Sequence, residues 1–146
     1  AISMNADTIV FEHLDIKIKC RGKNAQKLHL WRKNGIQTLV AHKAHRSGIR
    51  ISRVSATNTS ALAYDGSGKV RRDSKNHALA TFTNGKKYNC DLSASYNIGA
   101  RYFIRDLIKP IGATQWSQIL AKVPELERRT TCTYSTLLAL NKALAA

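Results

Sequence analysis

The sequence is poor in acidic residues, cysteine, proline and long apolar runs, and these shortages argue against disulfide-stabilised and membrane-spanning classes of protein. Asp and Glu account for 9 of 146 residues, with three Cys and two Pro. Cys20, Cys90 and Cys132 are too few and too far apart for a disulfide framework, so we expect reduced thiols and a cytoplasmic location. No apolar run approaches the roughly 18 residues of a transmembrane helix. No signal peptide is recognisable either, so we expect no membrane partner.

Positive charge is what the chain has in abundance. The 24 Lys and Arg residues give a formal net charge of +15, and 43% hydrophobic residues are enough for a globular core. No acidic residue occurs between Asp15 and Asp65, whereas eleven Lys and Arg residues fall there. Such a chain is typically attracted to a polyanion, because each neutralised phosphate releases condensed counterions. We predict nucleic-acid contacts from Lys17, Lys19, Arg21, Lys23, Arg32, Lys43, Arg46, Arg50 and Arg53.

The first third of the chain shows a strand, a helix and a second strand. Residues 7–12 form a short apolar run that ends in a carboxylate, as a buried strand does. Residues 26–46 have helical periodicity, and Ser47-Gly48 is expected to end the helix. Residues 49–54 alternate and carry β-branched side chains at the apolar positions, which predicts a strand. The predicted apolar face of the helix comprises Leu28, Trp31, Ile36, Leu39, Val40 and Ala44.

The remainder predicts an insertion followed by helices, which makes the fold class α/β. Residues 56–87 are rich in Ser, Thr, Asn and Gly and contain the turn signal Asn84-Gly85, so we expect a loop or hairpin insertion. A helix follows and ends at Pro110. Its predicted face comprises Ala94, Ile98, Tyr102 and Leu107. Two further amphipathic helices are predicted over residues 115–123 and 125–143.

Two carboxylates stand out by their context. Glu12 ends the first predicted strand, and Asp91 lies at the head of the predicted long helix. In a basic protein, a few convergent carboxylates suit a Mg²⁺ site for phosphodiester hydrolysis, because hard cations prefer oxygen ligands. On composition alone Asp15 and Asp65 are equal candidates, and Asp91 has an alternative role as a helix N-cap. Spacing by itself therefore leaves the choice open.

A family resemblance selects among these candidates. The run Ile-Val-Phe-Glu-His-Leu-Asp at 9–15 resembles the second motif of the RuvC-type nuclease domain found in TnpB-type transposon proteins and type V CRISPR effectors. The run Cys-Asp-Leu-Ser-Ala-Ser-Tyr-Asn-Ile at 90–98 resembles the third motif. Residues 48–54 and then Thr59-Ser60 look like the family's final strand and the Thr-Ser pair that introduces its zinc ribbon. The order of these elements agrees over residues 7–108.

The resemblance implies both a fold and a function. It implies that residues 1–108 are the C-terminal portion of an RNase H-like (RuvC) fold, with a degenerate zinc-ribbon-like insertion at 56–90, and that 109–146 form a C-terminal helical segment. Glu12 and Asp91 are the implied catalytic ligands in a site for two Mg²⁺ ions. The implied activity is metal-dependent, RNA-guided hydrolysis of DNA phosphodiester bonds. The implied partners are a guide RNA, a target DNA and the remainder of a larger RuvC-containing chain.

One departure from the family leaves alternatives open. The family's first catalytic Asp lies on a strand well upstream of the Glu, and the nearest acidic residue here, Asp7, falls on the same predicted strand as Glu12. We favour the interpretation that the chain is part of a longer protein, because a half-sheet with an exposed edge is a poor independent fold. The alternatives are a nuclease-dead, RNA-guided DNA-binding protein and a basic module that binds nucleic acid through charge alone.

The second departure gives a prediction about zinc. Where the family has Cys-x-x-Cys pairs, this chain has residues such as Ala63 and Gly66, and near the second pair only Cys90 is a cysteine. A structural zinc site takes about four Cys or His ligands. We therefore expect the purified protein to contain no stoichiometric zinc when its metal content is measured by mass spectrometry. One zinc per chain would contradict this prediction.

Overall fold

The computed structural model describes residues 6–13 and 33–145 and shows a mixed α/β fold. The described chain divides between Arg53 and Val54 into two compact units. Within the described residues there are five strands, four α-helices and one 3₁₀ helix. In chain order these are β1 (Thr8–His13), α1 (Lys33–Arg46), β2 (Arg50–Ser55), β3 (Arg71–Arg72), β4 (Leu79–Thr81), β5 (Lys87–Asn89), α2 (Cys90–Ile108), α3 (Ala113–Lys122), the 3₁₀ helix (Pro124–Glu127) and α4 (Tyr134–Ala145).

In the first unit β1 and β2 form a two-stranded sheet. The Arg50 amide donates to the Asp7 carbonyl at 3.0 Å, which places the start of β2 beside the start of β1. Helix α1 ends in a Schellman motif, in which Gly48 has a φ of 70° and its amide donates to the His45 carbonyl. The Ile49 amide completes the motif by donating to the carbonyl five residues earlier. The predicted second strand and the predicted helix end are therefore confirmed.

The face that α1 buries differs from the predicted one. Ile36 and Leu39 are both 65% exposed, so their predicted burial is wrong, whereas Ala44 is buried as predicted. The less exposed positions are spaced three and four residues apart and comprise Gln37, Val40, Ala41 and Ala44. A stripe with two alanines lets the helix approach its neighbours closely, and the Gln37 amide is satisfied by the Glu12 carbonyl. Leu28 and Trp31 lie outside the described residues.

The predicted burial of the first strand is also only partly right. The apolar residues Ile9, Val10 and Phe11 are half-buried rather than buried. Within the described residues β1 has one neighbouring strand, and a two-stranded sheet covers its side chains less completely than a wider one. The strand itself, Thr8–His13, lies within one residue of the apolar run at 7–12 that predicted it.

In the second unit, of the predicted loop or hairpin over residues 56–87, the structure shows the hairpin. Strands β3, β4 and β5 form an antiparallel sheet in that order. The turn between β4 and β5 contains Asn84-Gly85, as predicted, and Gly85 has a φ of 84°, which a residue without Cβ adopts at no steric cost. An isolated antiparallel bridge between Leu62 and Lys69 closes a second, smaller hairpin.

The core of the second unit lies between α2, α3 and α4. It comprises Ala100, Ile104, Ile119, Val123, Leu126, Cys132, Leu137 and Leu140. The division that the resemblance implies at residue 108 stays a prediction, and residues on both sides of it share this core.

The two described cysteines, Cys90 and Cys132, are free and buried. Burial raises the pKa of the Cys132 thiol, so it stays protonated at neutral pH.

The last predicted helix is wrong in its first half. Residues 125–143 were expected to be one helix, but the chain leaves the 3₁₀ helix at Glu127 and α4 begins at Tyr134. Threonine side chains take backbone partners in between: the Thr131 hydroxyl donates to the Arg128 carbonyl at 2.8 Å, and Thr133 and Thr136 are hydrogen-bonded to each other. Such local bonds compete with helical ones. The predicted end of α2 at Pro110 and the helix over 115–123 are confirmed.

The buried side of α2 is polar along much of its length. Ser93, Asn97 and Arg101 lie on successive turns, and all three are buried. The Asn97 side-chain amide donates to the carbonyls of Thr59 and Leu62, at 3.0 and 2.9 Å, and its oxygen accepts from the Tyr134 amide. The predicted face of this helix, at positions such as Ala94 and Ile98, is only half-buried. These three residues, the polar stripe, attach two loops to α2.

Arg101 makes the most extensive contacts in the polar stripe. Its guanidinium donates to four backbone carbonyls at 2.7 to 3.1 Å, those of Ser55, Thr57, Thr130 and Cys132. A buried guanidinium must have its N–H groups satisfied, and carbonyls that lose it are left without a partner. Arg101 therefore joins the segment after β2 to the segment before α4.

We expect Arg101→Met to lower the free energy of unfolding by on the order of 3 kcal/mol, because several buried carbonyls lose their donor at once. The measurement is a urea unfolding curve of the full chain. Arg128→Met is the matched control, since Arg128 is exposed, and it should change stability by less than about 0.5 kcal/mol. Equal midpoints for the two variants would show that Arg101 does not hold the loops.

Candidate metal ligands and nucleic-acid surface

Glu12 lies at the next-to-last position of β1, and it is half-buried. Its carbonyl oxygen accepts a hydrogen bond from the Gln37 side-chain amide at 3.1 Å. That hydrogen bond connects the end of β1 to α1, so α1 helps to fix the position of the backbone at Glu12. The neighbouring candidate Asp15 lies outside the described residues.

Asp91 lies in the first turn of α2, and it is exposed. The N-cap of the helix is Asn89, whose side-chain oxygen accepts from the amides of Asp91 and Leu92 at 2.9 and 3.0 Å. The alternative role of Asp91 as the cap is therefore wrong. A cap residue stands just before the helix with its side chain folded back onto the first free amides, and Asp91 is already helical. Its carboxylate retains a favourable interaction with the helix dipole.

Asp65 has a structural role that Asp91 lacks. Its carboxylate accepts from the Ser67 amide at 3.0 Å and from the Asn84 side chain at 3.1 Å. Burial opposes ionisation of Asp65, but these hydrogen bonds outweigh it and hold its pKa below the usual value. The carboxylate therefore organises the turns of the insertion, which explains this acidic residue without a metal.

The donor chemistry of Glu12 and Asp91 suits Mg²⁺. Within the described residues no three His, Cys, Asp or Glu side chains form a group that could hold a metal ion. Mg²⁺ does not require such a group, because it is commonly bound by one or two carboxylates together with waters and substrate phosphates. Glu12 belongs to the first unit and Asp91 to the second. A metal site shared by the two carboxylates stays a prediction.

Four of the predicted phosphate-contacting residues are described, and all four are exposed. Lys43 and Arg46 lie in the last turn of α1, and Arg50 and Arg53 lie on β2. The Arg53 Nε also donates to the Gln37 side-chain oxygen at 3.3 Å. The other five predicted residues, Lys17, Lys19, Arg21, Lys23 and Arg32, lie outside the described residues.

The turn between Ala63 and Gly66 is held by packing and by backbone hydrogen bonds. Ala63 is fully buried, and a Cβ on Gly66 would lie 2.7 Å from the Ser135 hydroxyl, so neither position has room for a larger side chain. Between them the Tyr64 amide donates to the Ser93 hydroxyl, and the Tyr64 carbonyl accepts from the Ser135 amide. The turn is thus attached to both α2 and the start of α4.

An aromatic cluster on the second unit was missed by the sequence analysis. It contains four of the five tyrosines of the chain, Tyr64, Tyr88, Tyr96 and Tyr134, together with Phe82. The members come from five different segments and have no regular spacing. A periodic pattern therefore could not reveal the cluster, and the one available signal was the concentration of tyrosine after residue 63.

Comparison with protein-family models, curated proteins and solved structures finds no match to the chain. In the described part of the chain, no helix combines the length and the apolar composition that crossing a bilayer requires.

The cap assignment can be tested by unfolding. We expect Asn89→Ala to destabilise the protein by about 1 kcal/mol, because two amides at the start of α2 lose their acceptor. Asp91→Asn should cost at most about 0.5 kcal/mol, since only a dipole interaction is lost. Chemical denaturation of both variants measures the difference. A larger loss for Asp91→Asn than for Asn89→Ala would reverse the assignment.

Proposed function

We propose that this chain is the C-terminal portion of a RuvC-type, RNase H-like nuclease that performs Mg²⁺-dependent, RNA-guided hydrolysis of DNA. The observation that carries the proposal is the position of Asp91, exposed in the first turn of α2 while Asn89 caps the helix. Asp91 is one of 9 acidic residues in a chain with a net charge of +15, and it does not cap the helix in which it lies. The third RuvC motif, which residues 90–98 resemble, has a metal-binding Asp at this point.

In this proposal Glu12 and Asp91 hold the metal from regular secondary structure. Glu12 is carried by a strand whose end is bonded to α1 through Gln37. Asp91 is carried by a helix whose buried side is fixed by the polar stripe. Carboxylates on rigid elements are positioned before substrate binds, which reduces the cost of ordering them. When bound, Mg²⁺ supplies charge neutralisation at the phosphate and lowers the pKa of a coordinated water.

The basic residues of the first unit have a separate role in the proposal. Lys43, Arg46, Arg50 and Arg53 contact backbone phosphates, which positions a nucleic acid without reading its sequence. Sequence selection then comes from base pairing between a guide RNA and the target strand. The net charge of +15 supports this division, since charge contacts supply affinity for any sequence.

We expect Glu12→Gln or Asp91→Asn, made in the full-length gene product, to reduce Mg²⁺-dependent DNA cleavage by at least about 100-fold, because a lost metal ligand is worth several kcal/mol. Binding of guide RNA and target DNA should change less than about twofold. Phosphate contacts come from Lys and Arg side chains, and neither carboxylate makes one. Cleavage is followed on labelled target DNA, and binding by fluorescence anisotropy.

The matched control is Asp106→Asn. Asp106 lies on the same helix as Asp91, and its carboxylate pairs with Lys109 at 2.9 Å. This variant should cleave at the wild-type rate. Full activity in Glu12→Gln or Asp91→Asn would end the assignment. A wild-type protein that binds guide and target but does not cleave with Mg²⁺ would identify the nuclease-dead alternative instead.

A further inference from the structure

The aromatic cluster of the second unit is centred on Tyr64. The Tyr64 ring lies 5.1 Å, centroid to centroid, from both Tyr88 and Tyr96, and 5.9 Å from Phe82. Tyr134 lies 5.5 Å from Tyr96. These are ordinary distances for interacting rings, and each such pair adds stabilisation beyond simple burial. The rings therefore support one another in fixed positions.

The cluster has a buried side and an open side. Phe82 is buried, whereas Tyr96 keeps 43% of its surface exposed. Tyrosine at four of the five positions gives phenol hydroxyls that can remain in water at the edge of the cluster. Tyr64, Tyr88 and Tyr134 are half-buried, so the ring of the cluster that is most open to a ligand is Tyr96.

Positive charge adjoins the rings. The exposed Lys86 ammonium lies 4.8 Å from the Tyr64 ring centroid and 5.0 Å from that of Tyr88, and it donates to the Tyr64 hydroxyl at 2.6 Å. The Tyr64 hydrogen bond raises the pKa of Lys86, so this cation persists at every physiological pH. The sheet adds a second cation, because Arg72 pairs with Ala80 and Ala80 pairs with Tyr88. Directly paired residues point to the same sheet face, so Arg72 and Tyr88 share a face.

We propose that this cluster is a contact site for single-stranded nucleic acid, in which an unpaired base stacks on Tyr96 while Lys86 and Arg72 contact the backbone phosphates. The site rests on the proposed function, that the chain acts on nucleic acid, and specifies which form of it the second unit takes. A duplex hides the faces of its bases, whereas a single strand offers them to aromatic side chains. The exposed ring and the adjoining cations match the two chemical parts of such a strand.

The stacking contact is tested with the full chain and with labelled dT and rU oligonucleotides, an abasic strand and a duplex of equal length. We expect Tyr96→Ala to weaken binding of both dT and rU by about 5- to 150-fold, the measured range for loss of one base–aromatic stack. Binding of the abasic strand and of the duplex should not change. Because dT and rU differ in both the 2′-hydroxyl and the C5 methyl group, a dU strand of the same length shows which of the two causes any difference in affinity.

Two substitutions separate stacking from folding. Phe103→Ala is the matched control, since Phe103 is on the same helix, is 55% exposed and is not a member of the cluster; it should bind like the wild type. Tyr96→Leu keeps apolar contact with the neighbouring rings and removes the stacking surface. It should lose affinity as Tyr96→Ala does, and Tyr96→Phe should retain it. Thermal unfolding of each variant shows that it is folded.

Neighbouring arginines test the phosphate contact. Arg72 shares a sheet face with Tyr88, whereas Arg71 pairs with Thr81 and points to the other face. Arg72→Gln should reduce the slope of log affinity against log salt by about 0.7, the value for one lost phosphate contact on a single strand. Arg71→Gln should leave the slope unchanged. Equal slopes for the two variants would exclude Arg72 from the site.

The outcomes separate this site from the proposed catalytic activity. If the wild type binds single strands and Tyr96→Ala binds them equally well, the site is overturned, whatever Glu12→Gln does to cleavage. If Tyr96→Ala loses affinity while the wild type shows no cleavage, the site stands and the nuclease proposal falls. A wild type that binds no nucleic acid at low salt would overturn both.

Discussion

The need to satisfy a buried guanidinium and a buried amide governs the second unit. Arg101 and Asn97 together donate to six backbone carbonyls, which belong to the segment after β2 and the segment before α4. Neither side chain can be buried without these partners, because an unpaired charge or amide in the interior is strongly unfavourable. The loops must therefore adopt conformations in which these carbonyl groups point toward α2. The packing of the rest of the unit depends on that arrangement.

Helix α2 also carries the exposed residues to which functions are proposed. The polar stripe faces the loops, while Asp91 and Tyr96 are exposed. Both proposals thus rely on one helix whose buried side is anchored by the polar stripe. They are a metal ligand at the start of α2 and a base-stacking tyrosine about one turn later. Tyr64 and Tyr134 depend on the stripe as well, because the Tyr64 amide bonds to Ser93 and the Tyr134 amide to Asn97. The packing of the second unit and the residues with proposed functions therefore depend on the same helix.

The turn between Ala63 and Gly66 is supported by close packing and by hydrogen bonds. At the positions where the resemblance expects a metal-binding Cys pair, Ala63 is buried and Gly66 lies against Ser135. The turn between them is attached by hydrogen bonds to Ser93 and Ser135, and the Asp65 carboxylate accepts further bonds from within the insertion. Such a turn needs small residues and a carboxylate.

The sequence by itself determined the features that act over a few residues: the strand that carries Glu12, the helix end just before Gly48, the hairpin turn at Asn84-Gly85 and the helix end just before Pro110. Each depends on local backbone conformation or on hydrogen bonds between near neighbours, so composition and spacing reveal it. The tertiary structure alone decided which face of α1 and of α2 is buried and that five aromatic rings meet. Those outcomes depend on partners far away in the chain, as when Asn97 bonds to Thr59, 38 residues earlier. Asn89 rather than Asp91 caps α2 because the helix starts one residue before the acid, and the resemblance at 90–98 carried no information about that register.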